Sequence, residues 1–308
     1  MKLDKNVNHS RFTFNLTSYR LLLPMKTIYL FKAALVTGLL ITATGSTGIA
    51  QYYYKDIVSN RQTLSETAAL KEQKIRNILV HSFEGNGEAS PGFYCEKKIS
   101  KDYRRIETYT KSNITGKALQ TTYYNDKNQL VRSTDSSDLS ITTSTYEYDD
   151  KGSIVNIISN SRSNDDDFTT MLVEEHQYQY NAKGKPEKMS RIRNHRDTSA
   201  VIFTVDDKGN VIDENDLGKN GKHYYYYYND KNRLTDIVKF NVVKGKLMPD
   251  FIFEYNSAGQ VTQMVSVEEG ANSDYYTWKY IYNDGLRIIE KCFSKEKILL
   301  GYFEYEYN

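Results

Sequence analysis

The chain has 308 residues with 41 basic and 39 acidic side chains, 27 tyrosines and two cysteines. A formal charge of +2 supplies no basic field of the kind a phosphate backbone demands, so nucleic-acid binding is excluded as an expectation. Six basic residues but a single acid lie in residues 1–50, which leaves residues 51–308 with a formal charge of −3.

The first fifty residues read as an address. Met25 and Lys26 open a short basic stretch that runs to Lys32, and an apolar run, Ala33 to Ile41, follows. It ends in the small residues Gly48, Ile49 and Ala50, which suit a signal peptidase pocket. The run is shorter than the ~20 residues a membrane helix needs. The expectation is export to the periplasm, cell surface or medium, with cleavage after Ala50, a mature start at Gln51 and no stable membrane span afterwards. Residues before Met25 read as an upstream extension.

Residues 51–119 are irregular. Thr63-Leu64-Ser65-Glu66 has the form of a capping box. It predicts a short helix with Leu64, Ala68, Ile75, Ile78 and Leu79 on one face. Glu84 to Gly92 reads as a loop, and Tyr103, Tyr109, Asn113 and Gly116 as a worn copy of the repeat that follows. Cys95 and Cys292 lie far apart in the chain; they pair only if the fold brings them together, and otherwise stay as buried thiols.

From residue 120 to 308 one phrase recurs: Tyr-x-Tyr, then Asn or Asp, two ordinary residues, Gly or Asn, and an apolar residue. The central positions are Tyr124, Tyr148, Tyr180, Val205, Tyr228, Tyr255, Tyr282 and Tyr307. Their spacing fits one β-hairpin plus its return. The Asn or Asp side chain accepts backbone hydrogen bonds in the turn. Asn128, Gly152, Gly184, Gly209, Asn232 and Gly259 then occupy a position suited to positive φ, which predicts a hairpin with a G1 bulge. Asn283-Asp284-Gly285 shifts its glycine by one and predicts a tighter Asp-Gly turn. Before each turn the residues alternate: Phe251, Phe253 and Tyr255 share a face, as do Trp278, Tyr280 and Tyr282, and Phe303, Tyr305 and Tyr307. Glu147, Gln177, Gln179, Glu254, Lys279, Glu304 and Glu306 take the other. One buried and one wet face is the pattern of an antiparallel sheet. The predicted fold is all-β, an antiparallel β-hairpin repeat array forming an extended or curled meander sheet.

The phrases Tyr146-Glu147-Tyr148-Asp149-Asp150-Lys151-Gly152 and Tyr178-Gln179-Tyr180-Asn181-Ala182-Lys183-Gly184 resemble YD repeats, as found in Rhs-type polymorphic toxins and teneurins. The leader, the size and the turn lysine resemble secreted tyrosine-rich repeat proteins of Bacteroidetes. The resemblance implies hairpins stacked into a strip that can curl into a shell. It brings no catalytic motif, and the residue after the glycine is Ser153, Lys185, Asn210 or Gln260 rather than the usual Arg.

No chemistry stands out. His81, His176, His195 and His223 lack ligand spacing, and His176 reads as a strand-face residue. Asn164 to Asp167 reads as a solvated acidic loop rather than a Ca²⁺ site. The most suggestive segment is His223 to Tyr228: Tyr225 and Tyr227 fall on the wet face, and Tyr123 sits equivalently to Tyr227 in its own repeat. Exposed aromatics of this kind stack on sugars or form a partner surface, the alternative being burial under a loop or a second layer. The expectation is a non-catalytic exported β-repeat protein with no cofactor or metal, acting on a protein or glycan partner at the cell envelope. The alternatives are a glycan-binding module using Tyr225, Tyr227 and Tyr123, and a periplasmic hydrolase with a carboxylate pair.

Overall fold

The computed structural model describes residues 53–164, 171–241, 244–268 and 274–308. The leader, its cleavage site and the Asp165–Asp167 run lie outside the described residues. One helix, α1 (Tyr54–Glu72), precedes the strands β1 (Asn77–Glu84), β2 (Tyr94–Ile99), β3 (Arg105–Ser112), β4 (Gly116–Tyr124), β5 (Leu130–Ser137) and β6 (Ser140–Tyr148). These continue into β7 (Ile154–Ser163), β8 (Met171–Tyr180), β9 (Pro186–Arg193), β10 (Asp197–Val205), β11 (Val211–Asp216) and β12 (His223–Tyr228). The last six are β13 (Leu234–Asn241), β14 (Lys246–Tyr255), β15 (Val261–Val267), β16 (Tyr275–Asn283), β17 (Leu286–Phe293) and β18 (Leu299–Tyr307).

Each strand pairs antiparallel with the next, and β1 pairs with both β2 and β18. The expected extended or curled meander is therefore corrected to a closed 18-stranded barrel. Closure removes the two open edges that a meander would leave as templates for aggregation. A repeat specifies one hairpin; twist and tilt summed over all the strands decide whether the ends meet.

The turn chemistry is as expected. Asn128, Gly152, Gly184, Gly209, Asn232 and Gly259 all have positive φ, between 58° and 90°. The register slips by one residue before each of these turns, as at Glu147/Tyr148 and Gln179/Tyr180. Asp149 Oδ1 accepts the N–H groups of Lys151 and Ser153 at 3.0 and 2.7 Å, and Asn181 and Asn229 repeat the arrangement. Asp284 and Gly285 are both left-handed, the signature of the tighter turn. Tyr103 is no anchor of a worn repeat. It is the left-handed residue of the β2–β3 turn, at φ 59°, and its ring packs under Arg76 with the guanidinium 3.7 Å from the centroid. Asn113 and Gly116 belong to the β3–β4 hairpin at the opposite end of the barrel.

The recurrent tyrosine has a second job that alternation alone does not reveal. The hydroxyl of Tyr148 donates to the Leu130 carbonyl at 2.8 Å, Tyr180 to Ile154 at 2.7 Å, and Tyr228 to Val211 at 2.8 Å. Tyr255, Tyr282 and Tyr307 do the same to Leu234, Val261 and Arg287 at 2.6, 2.9 and 2.6 Å. Each of these six anchors thus ties its strand to the start of the strand before it, at that strand's first residue in five cases and at its second, Arg287, in β17. Burial raises these phenols above their ordinary range, so they remain donors. A Tyr180→Phe substitution is expected to cost about 1 kcal/mol, more where the orphaned carbonyl stays dry; urea unfolding of single and paired Tyr→Phe variants measures it.

The helix lies inside the barrel. Tyr53, Tyr54 and Ile57 share a core with Ile154, Ile157, Tyr178, Met189, Val201, Phe203, Val211, Tyr224, Tyr226 and Ile237. A second core gathers Ile78, Val80, Cys95, Ile99, Tyr103, Met264, Trp278, Cys292 and Phe303. The predicted capping box is not a helix start. Thr63 lies in mid-helix, and Ile75, Ile78 and Leu79 are outside α1, the latter two in β1. The buried helical residues are Tyr54, Ile57, Asn60 and Thr67, a mixed face rather than an apolar stripe. Cys95 and Cys292 are free, buried thiols. They stand three strand spacings apart (β2, β1, β18, β17), roughly 14 Å at about 4.8 Å per spacing, too far for a bridge.

Candidate functional site

Two arrangements stand out, one on each face of the wall. The inner one holds the start of α1. Tyr53 at the helix N-cap makes no side-chain capping bond. Glu214 of β11 takes that role from the wall: its two oxygens accept the N–H groups of Tyr53 and Tyr54, each at 2.8 Å, and the Tyr226 hydroxyl donates to it at 2.7 Å. A carboxylate at a helix N-terminus satisfies orphan donors and meets the positive end of the helix dipole. Burial pushes the Glu214 carboxyl up to about 7, against the lowering effect of these three hydrogen bonds.

In the same first turn, Asp56 Oδ2 lies 2.8 Å from His176 Nδ1 and accepts the Tyr178 hydroxyl at 2.7 Å. His176 Nε2 lies 3.0 Å from Glu174, which Arg193 also binds. Burial alone would discharge His176, but the hydrogen bonds to Asp56 and Glu174 override it and raise the imidazole to about 9. Burial likewise opposes the Glu174 charge, and its bonds from His176 and Arg193 bring it down to about 2. His176 is thus an imidazolium bridging helix and wall. Tyr178 also donates to the Tyr53 carbonyl at 3.0 Å, and Arg191 binds the Tyr53 hydroxyl. Further along, Asn60 donates to the Tyr148 hydroxyl at 2.7 Å and Gln73 to the Asp284 carbonyl at 2.6 Å. The helix therefore crosses the lumen near the ring of anchor tyrosines.

His176 was expected on a strand face, and it is there, pointing inward. Glu214, Asp56 and Glu174 were not anticipated. The signal for Glu174 and Glu214 is a charged residue at an inward strand position that neighbouring repeats make apolar; Asp56, on the helix, carries no such signal.

The outer arrangement contains the tyrosines singled out from the sequence. Tyr225 stacks on His223, with centroids 4.5 Å apart and planes at 25°, and its hydroxyl lies 3.3 Å from Nδ1. His223 Nε2 in turn meets Asp213. Tyr227 is 49% exposed, so neither a loop nor a second layer of described residues covers it. Cross-strand partners extend the patch: Tyr225 faces Val238, Val238 faces Pro249, Phe240 faces Leu247, and Ile252 faces Val265. Phe240 and Leu247 are 53% and 47% exposed. Tyr123 does not join them. It lies on β4, eight strands from β12, half-buried with the Arg132 guanidinium 4.3 Å from its ring centroid. The expected three-tyrosine group is corrected to two.

No group of three or more metal-binding side chains occurs among the described residues. No family model matches the chain, and no curated protein matches it. Similar solved structures include a TcdB2-TccC3-TEV chain, 11% identical with a TM-score of 0.31, covering 70% of this chain and 12% of that one. This chain therefore spans about an eighth of that toxin chain. A porin-like protein from Bacteroides uniformis is 9% identical with a TM-score of 0.36, over 76% of this chain and 98% of that one. A porin-like protein from Bacteroides vulgatus is 11% identical with a TM-score of 0.30, over the same shares.

Proposed function

We propose that this is an exported, non-catalytic β-barrel that stands in water and works by presenting its outer wall, with a protein partner docking on the face formed by β12 to β15. The observation that carries the reading is the cluster of Tyr225, Tyr227, Val238, Phe240, Leu247, Pro249, Ile252 and Val265 on four neighbouring strands, broken by Asp236, with Tyr227, Phe240 and Leu247 its most exposed members. The other exposed outward hydrophobics, such as Tyr94, Leu119, Ile202 and Ile281, are spread over β2, β4, β10 and β16. Outward positions on other strands carry Glu96, Glu107, Glu175, Lys188, Lys279 and Lys291. A membrane barrel instead shows an outward apolar band about 25 Å tall. Contiguous apolar patches on water-facing walls mark partner sites, with Tyr and Phe typical anchors. Half of this patch is aliphatic, which serves a protein surface better than a sugar ring. The Asp213–His223–Tyr225 chain holds one anchor in place beforehand, which lowers the ordering cost of binding. The inner carboxylates Glu174, Glu214 and Asp56 are engaged in holding α1, which favours the non-catalytic reading over a hydrolase. Export rests on the leader, and kinship with YD-repeat proteins on the recurrent turn phrase.

The test is photo-crosslinking from position 227 of the mature protein in envelope extracts. A specific protein adduct is expected, with affinity lost at least about tenfold in Tyr227→Ser/Phe240→Ser and kept in Tyr123→Ala. A glycan array decides the second reading, favoured by the stacked Tyr225 beside Asp213: saturable sugar binding lost in Tyr225→Ala/Tyr227→Ala would replace the protein partner with a glycan.

A further inference from the structure

The helix inside the barrel is held unlike an ordinary core helix. Its buried face mixes Tyr54 and Ile57 with Asn60 and Thr67, and its first turn is capped by no residue of its own. What fixes that turn is two polar clasps on the lumen wall. Glu214 grips the backbone at Tyr53 and Tyr54, and His176 grips Asp56.

Both clasps sit among charges of both signs, so their proton occupancy matters. His176 faces Asp56 from α1 and Glu174 from its own strand, stands opposite Arg191 of β9, and meets the Tyr53 ring edge-on at 5.2 Å. Glu214 faces Tyr53 and Tyr54 of α1, Tyr226 of β12, and the charge of Asp56. Tyr178 of β8 lies between the two. Arg191 and Asp216 form an adjoining pair at 3.6 Å, and Arg193 holds Glu174. An imidazolium donates to two carboxylates at once; a neutral imidazole donates to one only.

We propose that the first turn of α1 is a proton-operated latch, closed while His176 bridges Asp56 and Glu174 as an imidazolium and opened when His176 gives up its proton. Opening leaves Asp56, Glu174, Glu214 and Asp216 against Arg191 and Arg193 alone. The repulsion falls on the helix start, which swings from the wall and uncovers this side of the lumen. The strand-to-strand hydrogen bonds of the barrel do not pass through these clasps, so the strands stay paired when the latch opens.

Hydrogen exchange of the mature protein, read by mass spectrometry from pH 6 to pH 10 and corrected for intrinsic rates, tests this. Peptides covering 53–62 are expected to lose protection on the order of a hundredfold across that range, while the β6–β7 hairpin keeps its protection. In His176→Gln the same peptides should already exchange fast at pH 6 and show a flattened pH profile. An unaltered profile in His176→Gln overturns the proposal, as does loss of protection in the β6–β7 hairpin together with the helix. Should His176→Gln fail to fold, the native protein decides: protection of 53–62 that is flat from pH 6 to pH 10 overturns it.

Discussion

Replacing Arg287 by methionine is expected to destabilise the barrel by about 3–5 kcal/mol, among the largest single effects available in this fold. Glu290 of β17 points into the lumen and is 2% exposed. Arg287 pairs with it, and the Tyr305 hydroxyl donates to it at 2.7 Å. The guanidinium also lies 4.6 Å from the centroid of the Tyr280 ring. Methionine retains much of the packing and removes the countercharge, leaving a buried carboxylate with one neutral donor. The pair by itself contributes little net stability, because both ions lost their water to form it. Adding Glu290→Gln to Arg287→Met should therefore recover most of the loss. Urea unfolding of the single and double variants measures both, and equal stability of the two would disprove the account.

His176→Leu is expected to be comparably severe, with a pH signature that a packing defect would lack. The imidazole is raised from 6.5 to about 9, so its stabilising contribution is complete below pH 6.5 and is lost as the pH rises through 9. Glu174 is lowered from 4.5 to about 2, so its contribution is complete above pH 4.5 and is lost as the pH falls through 2. The native protein should exceed the variant by most between pH 4.5 and pH 6.5, by on the order of 3 kcal/mol. The gap should narrow toward pH 10. Chemical unfolding at pH 5.5, 7.5 and 9.5 checks this; a gap that does not change with pH would refute it. Glu214 works in the same direction on the alkaline side. Its carboxyl is raised from 4.5 to about 7, so its contribution is complete below pH 4.5 and lost as the pH rises through 7.

The hairpins were legible because their causes are local. A left-handed residue at Gly152 or Asn232, and an Asp or Asn that caps its own turn, act within five residues. The alternation that sends Trp278 and Phe303 inward and Glu254 and Lys279 outward is just as local, since side chains switch face at every step. The helix departs from its sequence signal for the converse reason. Thr63-Leu64-Ser65-Glu66 has the letters of a capping box, yet α1 begins at Tyr54 because the wall supplies the cap at Glu214, 160 residues away in sequence. Of the three tyrosines singled out, Tyr225 and Tyr227 share a surface because they are two residues apart on one strand. Tyr123 is equivalent in its repeat but stands across the barrel.

The sequence by itself determined an all-β chain of antiparallel hairpins, the conformation of their turns, and which side chains line each face of the strands. These follow from steric preference and period-two alternation, both readable over a few residues. Only the tertiary structure decided that the sheet closes, that a polar helix lies within it, and that Asp56, His176, Glu174 and Glu214 form one charged cluster. Closure depends on twist and tilt summed over eighteen strands. The cluster depends on a lumen dry enough to make each of those charges seek a partner.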